Sequence, residues 1–337
     1  MNSLLAFAAV FLTLVLFHEL GHFLAAKAVG VAVQEFAVGF GPALARVRWR
    51  GTVYSLRLFP LGGFVRLAGM EGPQEGEEPA AEPARMFHRR PLWQRVVTIA
   101  AGPAMNFLLA AGLMAVLYVP PSVAHVEKGS PAERAGIQPG DRVVRVGHLS
   151  TPTAARVLRA VHGVAPGTPL RVEVLRDGRR LAHTVVTARH PVTGVSFIGV
   201  RWRTGAPPLE GLYGGFVEMV DSAGEVLRAL VRMLSRREGL TVAGPAGIFS
   251  MVAEAAGRGV LPVVGLAAVL SVNLGLINLL PLPVLDGGWL LFLALEWVRR
   301  RPLEPRLQTA AQMLGMVILV ALMLLATYFD LKRLGQG

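Results

Sequence analysis

The 337-residue sequence predicts a membrane α-helical fold with four transmembrane helices, a β-hairpin loop between the first two and an α+β domain inserted between the second and third. Three observations carry this expectation. Apolar residues make up 53% of the chain and charged residues only 17%, leaner in charge than an ordinary soluble domain. The apolar excess is concentrated in four runs, Leu4 to Val29, Val96 to Val119, Val260 to Leu280 and Ala310 to Tyr328, each near the roughly 20 residues a helix needs to cross about 30 Å of hydrocarbon. Between the runs, alternating apolar patterns and Gly turns mark strands rather than further spans.

The first element, residues 1–30, has no basic stretch before its apolar run and no clear small-residue cleavage site after it, so it reads as a retained helix rather than a removable signal. Inside it lies His18-Glu19-Leu20-Gly21-His22. Ionisable groups at membrane depth are functional candidates by default, because hydrocarbon cannot solvate them. Residues i and i+4 share a helix face, so His18 and His22 can aim ring nitrogens at one cation, while Glu19 lies beside the water that cation would acidify to a pKa of about 7. That is the chemistry of a zinc peptidase. The bland alternative is two histidines and a glutamate satisfied inside a helix bundle.

Residues 31–91 read as a cytoplasmic loop. Arg46, Arg48 and Arg50 alternate with Val47 and Trp49, Gly51 turns the chain, and Val53 to Leu58 returns as a second strand with one polar face. The acidic, Pro- and Gly-rich stretch Glu71 to Glu82 reads as a linker. The second span follows at 92–120. Nine arginines run from Arg46 to Arg95 inclusive, and Arg299, Arg300, Arg301 and Arg306 lie in the short loop 299–308, so both loops are expected to be cytoplasmic. His18 then falls about 20 Å along its helix, nearer the cytoplasmic surface. The net charge of +12 reads as positive-inside bias and attraction to anionic lipid, and no basic motif with interleaved aromatics supports nucleic-acid binding. The chain has no cysteine, which removes disulfides and thiolate ligands.

The inserted domain is expected over 121–190. Ser130 caps a short helix with Pro131 at its first position, Gly140-Asp141 turns into a strand from Arg142 to Val146, a helix follows near Ala154 to Val161, and Asp177-Gly178 joins strands at Leu170 to Leu175 and Leu181 to Thr187. The run from Gly129 to Gly147 is similar to the PDZ family. Residues 191–257 are expected to form an amphipathic helical linker, with Leu212, Phe216, Met219, Val226 and Leu230 at helical spacing and Gly224 breaking or weakening it.

The third span, 258–298, contains Asn278-Leu279-Leu280-Pro281-Leu282-Pro283-Val284-Leu285-Asp286-Gly287-Gly288. Pro281 and Pro283 interrupt helical hydrogen bonding, and broken backbone at membrane depth is tolerated only where it is buried in protein or lines a cavity. Two histidines leave a catalytic zinc short of its usual third protein ligand, and Asp286 is placed to supply it. An Asp-Gly turn at a helix exit is the ordinary alternative. A fourth span and tail occupy 309–337.

Together, HELGH in the first helix and NLLPLPVLDGG in the third resemble the site-2 protease family of intramembrane zinc metalloproteases, in particular its bacterial single-PDZ branch. Gly39-Phe40-Gly41-Pro42, Pro60 to Val65, Ala101 to Phe107 and Gly244 to Ile248 extend the resemblance over nearly the whole chain. It implies zinc on His18, His22 and Asp286, general-base work by Glu19 and a site-supporting role for Asn278. It also implies a hairpin that re-enters toward the metal on the cytoplasmic side, with Gly62 and Gly63 permitting close approach. A substrate unwound from its helix could pair with a strand edge there. The implied substrates are single-pass transmembrane proteins already trimmed by another protease, such as anti-sigma factors or signal-peptide remnants. The implied location is the inner membrane, with the PDZ-like domain outside, as a size filter or a peptide-binding module. Trp289 departs from the arginine that many relatives carry after the paired glycines. The competing readings are a catalytically inactive, membrane-tethered PDZ scaffold and a soluble-type zinc peptidase merely anchored by helices.

Overall fold

The computed structural model describes residues 2–70, 83–236 and 244–334. The expected acidic linker Glu71 to Glu82 and the end of the amphipathic run at 237–240 lie outside the described residues. Two compact units are present: Ala111–Asp221 form one, and the described residues before and after them form the other.

In the helical unit, α1 (Ser3–Ala28) is capped by Asn2, whose side chain accepts from the Leu4 N–H. It is followed by β1 (Val33–Trp49) and β2 (Thr52–Leu67), an antiparallel hairpin longer at both ends than the alternation predicts. Arg50 and Gly51, both at positive φ, make the tight turn at its tip. Bulges interrupt its register, and glycines at positive φ (Gly39, Gly41 and Gly62) occupy the irregular stretch. The base of the hairpin packs on α1 through Phe23, whose ring lies 5.2 Å from Phe36 and 5.9 Å from Tyr54. Inside the hairpin a buried Glu35 accepts from Ser55 Oγ at 2.6 Å and from Arg57 Nη2 at 2.7 Å, which satisfies a charge that would otherwise be costly there.

After α2 (Leu92–Val116) the chain enters the α+β unit. In order come β3 (Val123–Val126), α3 (Pro131–Arg134), β4 (Arg142–Val146), β5 (Leu149–Ser150), α4 (Ala154–His162), β6 (Pro169–Arg176), β7 (Arg179–Val186), β8 (Ala188–Arg189), β9 (Ser196–Phe197) and β10 (Val200–Trp202). The main sheet runs β5-β4-β6-β7, while β10 pairs with β3. Val143, Val157, Val172, Val174, Val185 and Ile198 form the core. The Ser130 cap and the Asp177-Gly178 turn form as expected, the latter with both residues at positive φ. The unit runs past residue 190, because β8 to β10 add Ile198, Val200 and Trp202 to the same core.

The amphipathic segment is one unbroken helix, α5 (Pro208–Arg236), which passes through Gly224, so of the two expected outcomes the break does not occur. Its first turns are tied within the α+β unit: Asp221 receives Arg156 at 2.6 and 2.7 Å and Arg159 at 2.6 Å. A mid-helix glycine costs only about 1 kcal/mol relative to alanine, which such anchoring outweighs.

Then follow α6 (Pro245–Arg258), α7 (Val260–Asn278), α8 (Asp286–Arg299) and α9 (Pro305–Leu334). α6, which the sequence did not announce, packs against α1, α7 and α9. Asp330 of α9 accepts from the Gly247 N–H at 2.8 Å, in the first turn of α6. Within 258–298 the expected proline interruption falls at 279–285 and separates α7 from α8. Among the described residues, α1, α2, α7 and Arg306–Asp330 of α9 are long and apolar enough to cross a membrane.

Candidate metal centre

The HELGH segment forms a continuous turn of α1 with both histidines buried. Their rings meet edge to face, at 88° and 4.8 Å between centroids, and the two Nε2 atoms stand 3.2 Å apart. Asp286 Oδ2 lies 3.2 Å from His18 Nε2 and 3.3 Å from His22 Nε2. The spacing fits a shared metal ion. Ligands at the usual zinc distances of about 2.0 Å, arranged tetrahedrally, sit about 3.3 Å from one another. Asp286 Oδ2 is also buried without a hydrogen-bond donor. With their lone pairs turned to one point these three groups would suit a cation, so the donor set fits zinc.

Close backbone approach delivers each ligand. α2 crosses α1 at Gly21 and Gly102: a Cβ on Gly21 would lie 2.2 Å from Ala101 O, and one on Gly102 would lie 2.3 Å from His22 Nε2. Asp286 opens α8, where its negative charge suits the helix N-terminus. Gly287 and Gly288 let that first turn rest on the proline loop, since a Cβ on either would be 2.1 to 2.3 Å from the carbonyl of Leu280 or Leu282. The glycines after the aspartate are therefore steric requirements.

Glu19 lies beside the cluster, and β2 passes against it, with the ideal Cβ position of Gly63 3.9 Å from Glu19 Cγ. Gly63 also faces Ala37 O of β1 at 2.6 Å from that position, so the hairpin itself forbids a side chain there. Gly62, at φ +117, instead abuts the Phe40 ring and is not brought to the metal donors. Asn278 is buried as the last residue of α7, but its side chain makes no hydrogen bond among the described residues. Trp289 packs edge to face with Phe87 and Phe292 and against a cluster that includes Ala26, Val33 and Leu293. An apolar contact thus occupies the position where an arginine was the family expectation.

Three residues the sequence reading gave no role complete the site. Thr98 O accepts from His22 Nδ1 at 2.9 Å, the Asn106 amide meets His18 Nδ1 at 3.1 Å, and Ser271 Oγ of α7 donates to Asn106 O at 2.8 Å. A signal existed for Asn106, a polar amide in an apolar run.

Fold and site together define a multi-pass membrane protein with three donors grouped where one metal ion could be held. The peptidase family M50 model matches residues 6–322. Curated relatives include the zinc metalloprotease RasP of Bacillus licheniformis (30% identity, covering 99% of this chain and 100% of the relative) and a putative zinc metalloprotease of Agrobacterium fabrum (34%, covering 97% and 95%). Another is the regulator of sigma-W protease RasP of Bacillus subtilis (30%, covering 99% of each). Among solved structures, the PDZ domain of the SdrC-like protein of Listeria monocytogenes aligns with 25% of this chain and 88% of that one, at 14% identity and a TM-score of 0.24. The chain belongs to peptidase family M50. It is a zinc metalloprotease.

Proposed function

We propose that this chain hydrolyses peptide bonds inside transmembrane helices of single-pass membrane proteins, with zinc held by His18, His22 and Asp286 and with Glu19 as general base. The observation that carries the reading is the convergence of those three donors, two from α1 and one from the start of α8, at tetrahedral spacing inside a helix bundle. Zinc supplies Lewis acidity, which acidifies a water and polarises the scissile carbonyl. Glu19, next to His18 on the same helix, takes the proton from the attacking water and passes it to the leaving amine. The α1–α2 contact and the glycine-paved start of α8 hold the ligands in register.

A peptide bond still paired within a helix is closed to attack. The passage of β2 beside Glu19 supports a role for the hairpin in holding unwound substrate by main-chain pairing, with Gly63 keeping the strand close and Gly62 allowing its bulge. Asn278 stands at the rim of the proline break, where it would support the site or meet substrate. The arginine-rich loops support an active site in the cytoplasmic half of the inner membrane and an extracytoplasmic α+β domain. That domain, PDZ-like in sequence, would filter substrates by size or bind a peptide. A Bacillus subtilis relative is named as a regulator of sigma-W protease, which supports a regulatory substrate such as an anti-sigma factor, and prior shortening by another protease rests on the family resemblance.

The scaffold alternative is disfavoured by the complete ligand and base set. The deciding experiment uses purified full-length protein and a single-pass helical substrate. Wild type should carry zinc and cut the substrate, and Glu19→Gln should carry zinc without cutting. A Glu19→Gln protein that cuts normally would sink the mechanism.

A further inference from the structure

The two zinc-facing imidazoles are oriented by one stripe on α2. His18 and His22 are four residues apart on α1, and Thr98, Gly102 and Asn106 are spaced four apart on α2, running the other way. A Cβ on Gly102 would strike both rings, Thr98 meets His22 and Asn106 meets His18. At the first partner the proton assignment is forced. A carbonyl oxygen only accepts, so His22 carries its proton on Nδ1 and leaves a lone pair on Nε2 for the metal.

At the second partner the amide orientation matters. With Asn106 Nδ2 against His18 Nδ1, the imidazole would accept there and carry its proton on Nε2, the atom that faces Asp286 and His22. In that orientation Asn106 Oδ1, on a residue with no exposed surface, has no hydrogen-bond partner. A half-turn of the amide exchanges oxygen and nitrogen with almost no change of shape. Oδ1 then accepts from His18 Nδ1–H, the amide nitrogen takes the oxygen's former place, and the lone pair of His18 Nε2 is released toward the metal position.

We infer that Asn106 is a positioning residue that accepts a hydrogen bond from His18 Nδ1 and so fixes the tautomer in which His18 Nε2 binds zinc. The inference rests on the metal-site reading above. Ser271 Oγ, donating to the Asn106 backbone carbonyl at 2.8 Å, links this stretch of α2 to α7. Asn106 touches neither substrate nor metal and acts through the ring. Partners of this kind are typically worth 10- to 100-fold in metal affinity.

The test is zinc affinity, measured on full-length protein in detergent by competition with a chromogenic chelator. The variants are Asn106→Leu, which keeps the shape and loses the acceptor, and Asn106→Asp, which accepts and cannot donate. The expected result is a roughly 10- to 100-fold loss for Asn106→Leu, with Asn106→Asp as tight as wild type or tighter. A folded Asn106→Asp protein that loses zinc as Asn106→Leu does would show that the amide donates, and would overturn the proposal even if the leucine variant failed to fold. Unchanged affinity in Asn106→Leu would overturn it too. A wild-type protein without zinc affinity would instead sink the metal centre itself, and this inference with it.

Discussion

Arg95 of α2 grips Glu296 of α8 with both terminal guanidinium nitrogens, at 2.9 and 2.5 Å, and both side chains are largely withdrawn from the surface. Asp286 opens the helix that this pair holds, about 15 Å away along its axis at 1.5 Å per residue. The helix that opens with Asp286 is therefore bolted to the helix that meets His18 and His22.

Removing one partner leaves the other charge buried and unpaired, which costs about 3 to 5 kcal/mol. Arg95→Ala should lower the denaturation midpoint of the purified protein and weaken zinc retention against a chelator. Replacing both residues with leucine should recover much of the stability, because an apolar pair of similar size carries no desolvation cost. Equal stability of Arg95→Ala and wild type would contradict the bolting role.

Gly102→Ala should abolish tight zinc binding. The added methyl would fall 2.3 Å from His22 Nε2 and 2.9 Å from His18 Cε1, so both rings must move. Gly112→Ala, on the same helix with nothing within 4 Å, is the control. Both substitutions raise helix propensity by about 1 kcal/mol, so a difference between them in metal titration isolates the steric effect at the site. Matching titrations would show that α2 does not press on the ligands.

In the α+β unit, Asp141 has no exposed surface. Burial pushes its carboxyl upward, but hydrogen bonds from Arg176, at 2.6 and 2.7 Å, and from the Gln138 N–H, at 2.9 Å, outweigh it and hold it below the usual carboxylate range. A carboxyl with a depressed folded-state pKa contributes stability that is fully present above its unfolded value of about 3.9 and is lost as pH falls through the lower folded value. Amide exchange of residues 111–221 should therefore stay slow at neutral pH and accelerate in that acidic window. Arg176→Leu should bring the acceleration to neutral pH. An acid profile unaltered by Arg176→Leu would refute the assignment.

The grouping of His18, His22 and Asp286 was legible because the rules behind it are local. Four-residue spacing puts His18 and His22 on one face, and two prolines before Asp286 forbid an uninterrupted helix there. Partners set by crossing helices were not legible. Asn106 has no neighbour in sequence that explains it, because the ring it serves is 88 positions away. Strands β8 to β10 are two or three residues long, too short for alternation to register, so the α+β unit looked shorter than it is. The helix α6 is rich in small residues and carries too little apolar contrast to stand out before its contacts with α1, α7 and α9 are known. At Gly224, propensity argued for a break and tertiary ion pairs overrode it.

The donors on α1 are translated early and Asp286 late, with the α2 stripe between them. A polypeptide still emerging from the ribosome thus holds two imidazoles but no finished centre until most of its length has been made.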